Sequence, residues 1–190
     1  MASSTSLVRI PYRPAEVLPK TIPPLNLFRM LAHSPSTLPH LLSLGTACFR
    51  DTSLSPYTNE LVSLWVSRRT SSDYHWKKHV PTAKATGLTE EQILAVASGN
   101  VQAASWSEKD MALLSFLDAV ITGPEVSNEI FSKAREHFND QALVEVVVIQ
   151  VRGIPKGYNE VSNFSMLKPN VRPGLLLQHG TGCDGFWRRL

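Results

Sequence analysis

Helix-start signals punctuate this chain so often that little room is left for another kind of structure. Ser34-Pro35 and Ser55-Pro56 each pair a capping hydroxyl with a proline suited to the first helical turn. Thr89-Glu90-Glu91-Gln92 reads as a capping box. Ser107-Glu108-Lys109-Asp110 is an imperfect one, with Asp at the position that favours Glu or Gln. Gly87, Gly99-Asn100 and Gly123-Pro124 stand where the intervening helices should stop. With the apolar spacing, these signals predict helices over 25–32, 35–50, 56–69, 74–86, 90–98, 108–121, 125–138 and 141–150. Pro81 should kink the fourth or restart it.

One segment argues the other way. LVEVVVIQ, residues 143–150, is a β-branched run with the propensity of a strand. No second convincing strand exists to pair with it, and a lone strand would leave its edges unbonded. A buried helix is the consistent reading, so the expected fold class is all-α, compact and multi-helix.

Most of the 13 prolines crowd the two ends, at Pro11 to Pro39 and Pro155 to Pro173. The chain accordingly divides into an extended N-terminal arm (1–22), a helical domain (23–168) and an atypical basic C-terminal tail (169–190). The net charge of +3 does not describe the body. Residues 1–150 hold 13 Lys/Arg against 14 Asp/Glu, whereas residues 151–190 hold 6 against 2. No zinc-finger spacing, RNP pattern or aromatic platform accompanies the basic groups, so nucleic acid is not an expected partner. Cys48 and Cys183 are the two cysteines, too few for a disulfide framework or a thiolate metal site. The N-terminus lacks the apolar run of a secretory signal, and Pro11 and Pro14 interrupt any amphipathic targeting helix. No stretch is long and apolar enough for a membrane span. The expectation is a cytoplasmic protein without a membrane partner.

The chemistry-bearing residues concentrate in and near the helices at 56–69 and 74–86. Ser72, His75 and His79 follow the i, i+3, i+7 pattern of one helical face. Histidine exchanges a proton near neutral pH. Glu60, on the preceding helix, is placed to orient an imidazole or to take its proton. Tyr74 and Trp76 flank the histidines, and Arg68 and Arg69 offer bidentate groups for a carboxylate. Plain structural readings fit the same residues: a first-turn charge at Glu60, a surface histidine at 75 beside Lys77 and Lys78, and core tryptophans at 65 and 106. The pattern is not HExxH and lacks an evident third ligand, so no metal is expected.

Residues 58–98, TNELVSLWVSRRTSSDYHWKKHVPTAKATGLTEEQILAVAS, resemble the central motif of carboxymuconolactone decarboxylase-like proteins, within the alkylhydroperoxidase D-like superfamily. The motif's positions fall on Glu60, Ser72, Tyr74, His75, Trp76, His79, Gly87, Leu88 and Glu90-Glu91. NLFRMLAHSP upstream, with WSEKDMALLSFLDAV, FNDQALVEVVVIQ and GYNEVSNF downstream, extends the likeness over about residues 24–168. The resemblance implies an all-helical protein that assembles as trimers or hexamers, some through dimers, with a pocket near subunit contacts. In the peroxidase branch a cysteine pair works with the Glu and the His. Here those positions are Ser72 and His75, which form neither disulfide nor sulfenic acid.

The cysteine-free branch implies decarboxylation of a small carboxylated lactone, keto acid or polyketide-like intermediate, of the kind met in aromatic or secondary metabolism. The substrate carbonyl is the electron sink, so no cofactor is required. In that reading Glu60, His75 and His79 are catalytic, while Arg68, Ser72, Tyr74 and Trp76 bind substrate. Isomerase or dehydratase chemistry on a similar substrate uses the same proton transfers. A non-catalytic oligomeric scaffold would not bring Glu60 and the histidines together on a cavity. VRGIPK, residues 151–156, interrupts the family pattern, and Gly153 and Pro155 are expected to break the helix before Tyr158 and Asn159.

Overall fold

The computed structural model describes residues 10–123 and 125–153. Helices α1 (Asn26–Leu31), α2 (Leu38–Arg50), α3 (Pro56–Arg69), α4 (Asp73–Ala85), α5 (Glu90–Ser98), α6 (Glu108–Thr122), α7 (Asn128–His137) and α8 (Asp140–Gly153) follow a short 3-10 turn at Ala15–Val17. Strands are absent among the described residues. No described helix is long and apolar enough to cross a membrane.

The architecture is organised around α3, which is buried on all sides from Thr58 to Ser67. A helix enclosed this way cannot be amphipathic, and its sequence alternates aliphatic residues with small or partnered polar ones. Leu61, Val62, Leu64, Trp65 and Val66 form the middle of the core. They meet Ala83 of α4, Val96 of α5, Leu113, Leu114 and Leu117 of α6, and Val146 and Ile149 of α8. Ser67 of α3 donates to the Leu64 carbonyl at 2.7 Å, and the buried Trp65 indole donates to Asp118 of α6 at 3.2 Å.

The β-branched run is helical, as part of α8. Val146, Val147 and Ile149 are buried, and α8 packs against α3, α6 and α2. Helix propensity penalises a β-branched residue by only about 0.5 kcal/mol, against about 1.5–3 kcal/mol for burying its side chain, so packing wins.

Several boundaries differ from expectation for local reasons. α2 starts at Leu38 rather than after Ser34, and Thr37 occupies the N-cap position. A start at Pro35 would place Pro39 where its missing N–H interrupts the helical ladder, whereas a start at Leu38 puts Pro39 in the first turn. Pro81 lies inside a continuous α4 rather than beginning a new helix. The box at Ser107 closes fully, since the shorter Asp110 still reaches the Ser107 N–H at 3.3 Å. α8 is started by Asn139, whose side chain accepts from the Ala142 N–H at 2.8 Å.

The end of α3 positions the site. The Ser72 N–H donates to the Ser67 carbonyl and the Ser71 N–H to the Arg68 carbonyl, a paired closure that requires a left-handed residue directly after the helix cap. That residue is Ser71, at φ 55°, where glycine is usual. The chain reverses within residues 70–72, Ser72 caps α4, and α4 runs back along α3.

The arm is held on the molecule from residue 11 onward. Arg13 and Arg29 exchange bonds at 3.3 and 2.7 Å, and the His33 ring nitrogen Nε2 lies 2.8 Å from the Pro11 carbonyl. Leu18 is buried with Ala32 and Leu38 in a second, smaller apolar cluster. The tail, and with it Pro155, Tyr158 and Asn159, lies outside the described residues.

Candidate active site

The reversal after α3 brings Glu60 and His79 together. Glu60 Oε2 and His79 Nδ1 are 2.8 Å apart, and both residues are buried, with 4% and 8% of their surface exposed. With Glu60 as a carboxylate, which can only accept, the donor in this contact is Nδ1–H. Nε2 is then the nitrogen left to exchange a proton with a ligand.

Two rings frame this imidazole. His75, one turn earlier on α4 and partly buried, lies 4.5 Å away between ring centroids and is tilted by 39°. Phe49, near the end of α2, is 5.9 Å away and within 13° of parallel. Phe49 was not among the residues singled out from the sequence. Its only signal there was an apolar position in helical register, which any core residue gives.

Glu60, His75 and His79 therefore form one cluster. Ser72, Arg68 and Trp76 form a second, lining an open groove of about 370 Å³ with Ser67, Ser71, Asp73 and Ala97. In that groove Ser72 is buried and accepts from the His75 N–H at 3.3 Å, and Arg68 Nε donates to the Ala97 carbonyl. Tyr74 is directed elsewhere. Burial and the neighbouring Tyr12 push its pKa up, and the Lys78 ammonium lies 6.0 Å from its ring. Arg69 is committed to Asp118 at 2.5 Å and lies over the Trp65 ring at 5.0 Å. Trp65 is wholly buried and walls neither the groove nor the surface.

Cys48, the one cysteine among the described residues, is buried and forms no described disulfide. Among the described residues no group of three or more His, Cys, Asp and Glu side chains is disposed to hold a metal ion.

Residues 35–119 match the model of the Carboxymuconolactone decarboxylase family. That segment contains both halves of the Glu60–His79 pair. The uncharacterised protein YdfG of Bacillus subtilis (strain 168) is 24% identical over 102 residues, covering 53% of this chain and 69% of that protein. Two solved structures share the fold. One is a protein of unknown function from Agrobacterium tumefaciens, provisionally grouped with the antioxidant defence protein AhpD. It is 20% identical, with a TM-score of 0.61, over 75% of this chain and 96% of that one. The other is the debrominase Bmp8, in complex with 2,3,4-tribromopyrrole. It is 16% identical, with a TM-score of 0.61, over 74% of each chain.

Proposed function

We propose that this protein is a cofactor-independent acid–base enzyme whose reaction is the decarboxylation of a small carboxylated lactone, keto acid or polyketide-like acid. The observation that carries the reading is the buried 2.8 Å contact between Glu60 and His79. A buried carboxylate–imidazole pair is costly unless both partners are satisfied by one another, and it is suited to moving one proton at one nitrogen.

In the proposed step the bond from the substrate carbon to its carboxylate breaks. Carbon dioxide leaves, and the electron pair enters the conjugated carbonyl to give a dienolate. His79, protonated on both nitrogens, delivers the Nε2 proton to carbon. Glu60 holds Nδ1 throughout and stabilises the imidazolium before transfer. His79 is then recharged by a proton from water.

Ser72 and His79 are separated by two turns of α4, about 10 Å of helix. A carboxylate held by Arg68 in the groove is thus remote from the carbon protonated at His79. Arg68, Ser72 and Trp76 accordingly bind a distal part of the substrate, and the departing carboxylate is a different group. Tyr74 would reach the substrate only from the side of α4 that faces Tyr12. On this reading the working form is a cytoplasmic homo-oligomer.

A second reading has its own support. The His75 ring, 4.5 Å from His79, supplies a second proton carrier in the same cluster. Removing a proton at one atom and returning it at another is isomerase or dehydratase chemistry.

Mass spectrometry of the purified protein with β-keto acids, carboxylated lactones and polyketide acids distinguishes the outcomes. Loss of carbon dioxide, abolished by His79→Ala or Glu60→Ala, supports the decarboxylase. A product of unchanged mass, or one lighter by water, moves the assignment to isomerase or dehydratase. Turnover that persists in both variants removes the dyad from the mechanism, and no turnover of any class favours a scaffold.

A further inference from the structure

We propose that Phe49 is a positioning residue for His79, and that Asn59 holds Phe49 in place to do it. This inference rests on the acid–base reading of the Glu60–His79 pair. Glu60 fixes one atom of the imidazole, Nδ1. A ring held at a single atom can still tilt about that contact, and the direction of Nε2 changes with the tilt. A nearly parallel aromatic ring removes this freedom. Phe49 stands in offset stacking range of His79, at 5.9 Å and 13°.

Phe49 is unusual for such a task, because 51% of its surface is exposed. A phenyl ring half in water contributes less to the core than its neighbours in α2. Its placement is nevertheless anchored. The preceding carbonyl, that of Cys48, accepts from the Asn59 side-chain amide at 2.6 Å. Asn59 is buried, and the same amide lies 3.5 Å from the Thr52 hydroxyl. Its Oδ1 has no hydrogen-bond partner among the described residues. The described bonds of this buried amide are those of its donor, made to the end of α2. Asn59 also directly precedes Glu60, so one turn of α3 fixes both the carboxylate on His79 and the helix end that carries Phe49.

Positioning and mere shielding differ in one measurable respect. A cover acts on His79 whatever Glu60 does. A positioning ring acts by keeping His79 on Glu60, so its effect depends on that carboxylate.

Diethyl pyrocarbonate, which acylates unprotonated imidazole nitrogen, is the probe, with peptide mass spectrometry resolving His79 from the other histidines. The full-length protein is compared with Phe49→Leu, Phe49→Tyr, Glu60→Gln and the Phe49→Leu/Glu60→Gln double variant. Phe49→Leu is expected to raise the His79 rate about fivefold, and in the Glu60→Gln background less than about twofold. Phe49→Tyr keeps the ring and is expected to keep the wild-type rate. An unchanged or slower rate in Phe49→Leu overturns the proposal. So does an effect of equal size in both backgrounds, which would make Phe49 a cover only. Because the readout needs no turnover, a failed substrate screen with the expected cycle counts against the enzyme reading and leaves the positioning intact. The reverse combination sinks only the positioning.

Discussion

Asn59 and Glu60 are consecutive on α3 and bond to different helices. The Asn59 amide donates to the Cys48 carbonyl of α2 at 2.6 Å, and Glu60 accepts from His79 of α4 at 2.8 Å. Asn59→Ala removes this side-chain tie between α3 and the Cys48 carbonyl. It should destabilise the protein by about 1–3 kcal/mol, read from the shift of the urea unfolding midpoint.

The Glu60–His79 pair should behave as a unit. Once a substrate is in hand, His79→Asn and Glu60→Gln are each expected to lower kcat by about 10²–10⁴-fold. The double variant should be little slower than the worse single variant, because either change alone disables the same proton transfer. Multiplicative losses in steady-state kinetics would show two independent roles.

Asp118 serves two partners, accepting from the buried Trp65 indole at 3.2 Å and pairing with Arg69 at 2.5 Å. Asp118→Ala should cost about 1–3 kcal/mol, because it leaves the indole N–H buried without an acceptor. Arg69→Ala should cost less, since its guanidinium is partly solvated. Chemical denaturation of the two variants side by side checks the order.

Tyr57 links α3 to both capping boxes: its hydroxyl donates to Asp110 at 3.2 Å and accepts from Gln92 at 3.0 Å. Burial first, and then the Asp110 carboxylate, push its pKa from 10.0 up to about 12. A raised folded-state pKa means that the folded protein keeps a proton the unfolded chain releases. The associated stability is present in full below pH 10.0 and is lost as pH rises towards about 12. Tyr57 is only half-buried, so solvent screening holds the slope below about 1 kcal/mol per pH unit. In denaturation series across this range, Tyr57→Phe should lose less stability with pH than the wild type.

Ser71→Gly should stabilise the fold by about 1 kcal/mol, because it relieves a left-handed backbone in a residue with a Cβ. The φ of 55° is the warrant, and thermal unfolding is the check.

The caps that organise the bundle were legible because they are local. Ser55 accepts from Thr58, and Thr89 and Gln92 exchange their box bonds, each within four residues of sequence. The spacing of Ser72, His75 and His79 likewise put two imidazoles on one face before any fold was known. Propensity misled at residues 143–150, and only the lack of a partner strand pointed to helix. Ser34 misled as a cap, because Pro39 decides where α2 can begin. Arg68 and Arg69 look alike in sequence, yet one borders a groove and the other is taken up by Asp118. Phe49 was illegible as a site residue because its relation to His79 is made by the meeting of α2 and α4, which no spacing within either helix encodes.

The reversal at Ser71 has a consequence for how the pair is assembled. Glu60 and His79 are only 19 residues apart in sequence and are brought together by one tight turn between two successive helices. Their meeting needs no distant part of the chain to arrive first. Contacts of such short range form at low loop-closure cost. The pair is thus carried by a helical hairpin, and its meeting closes only a short loop.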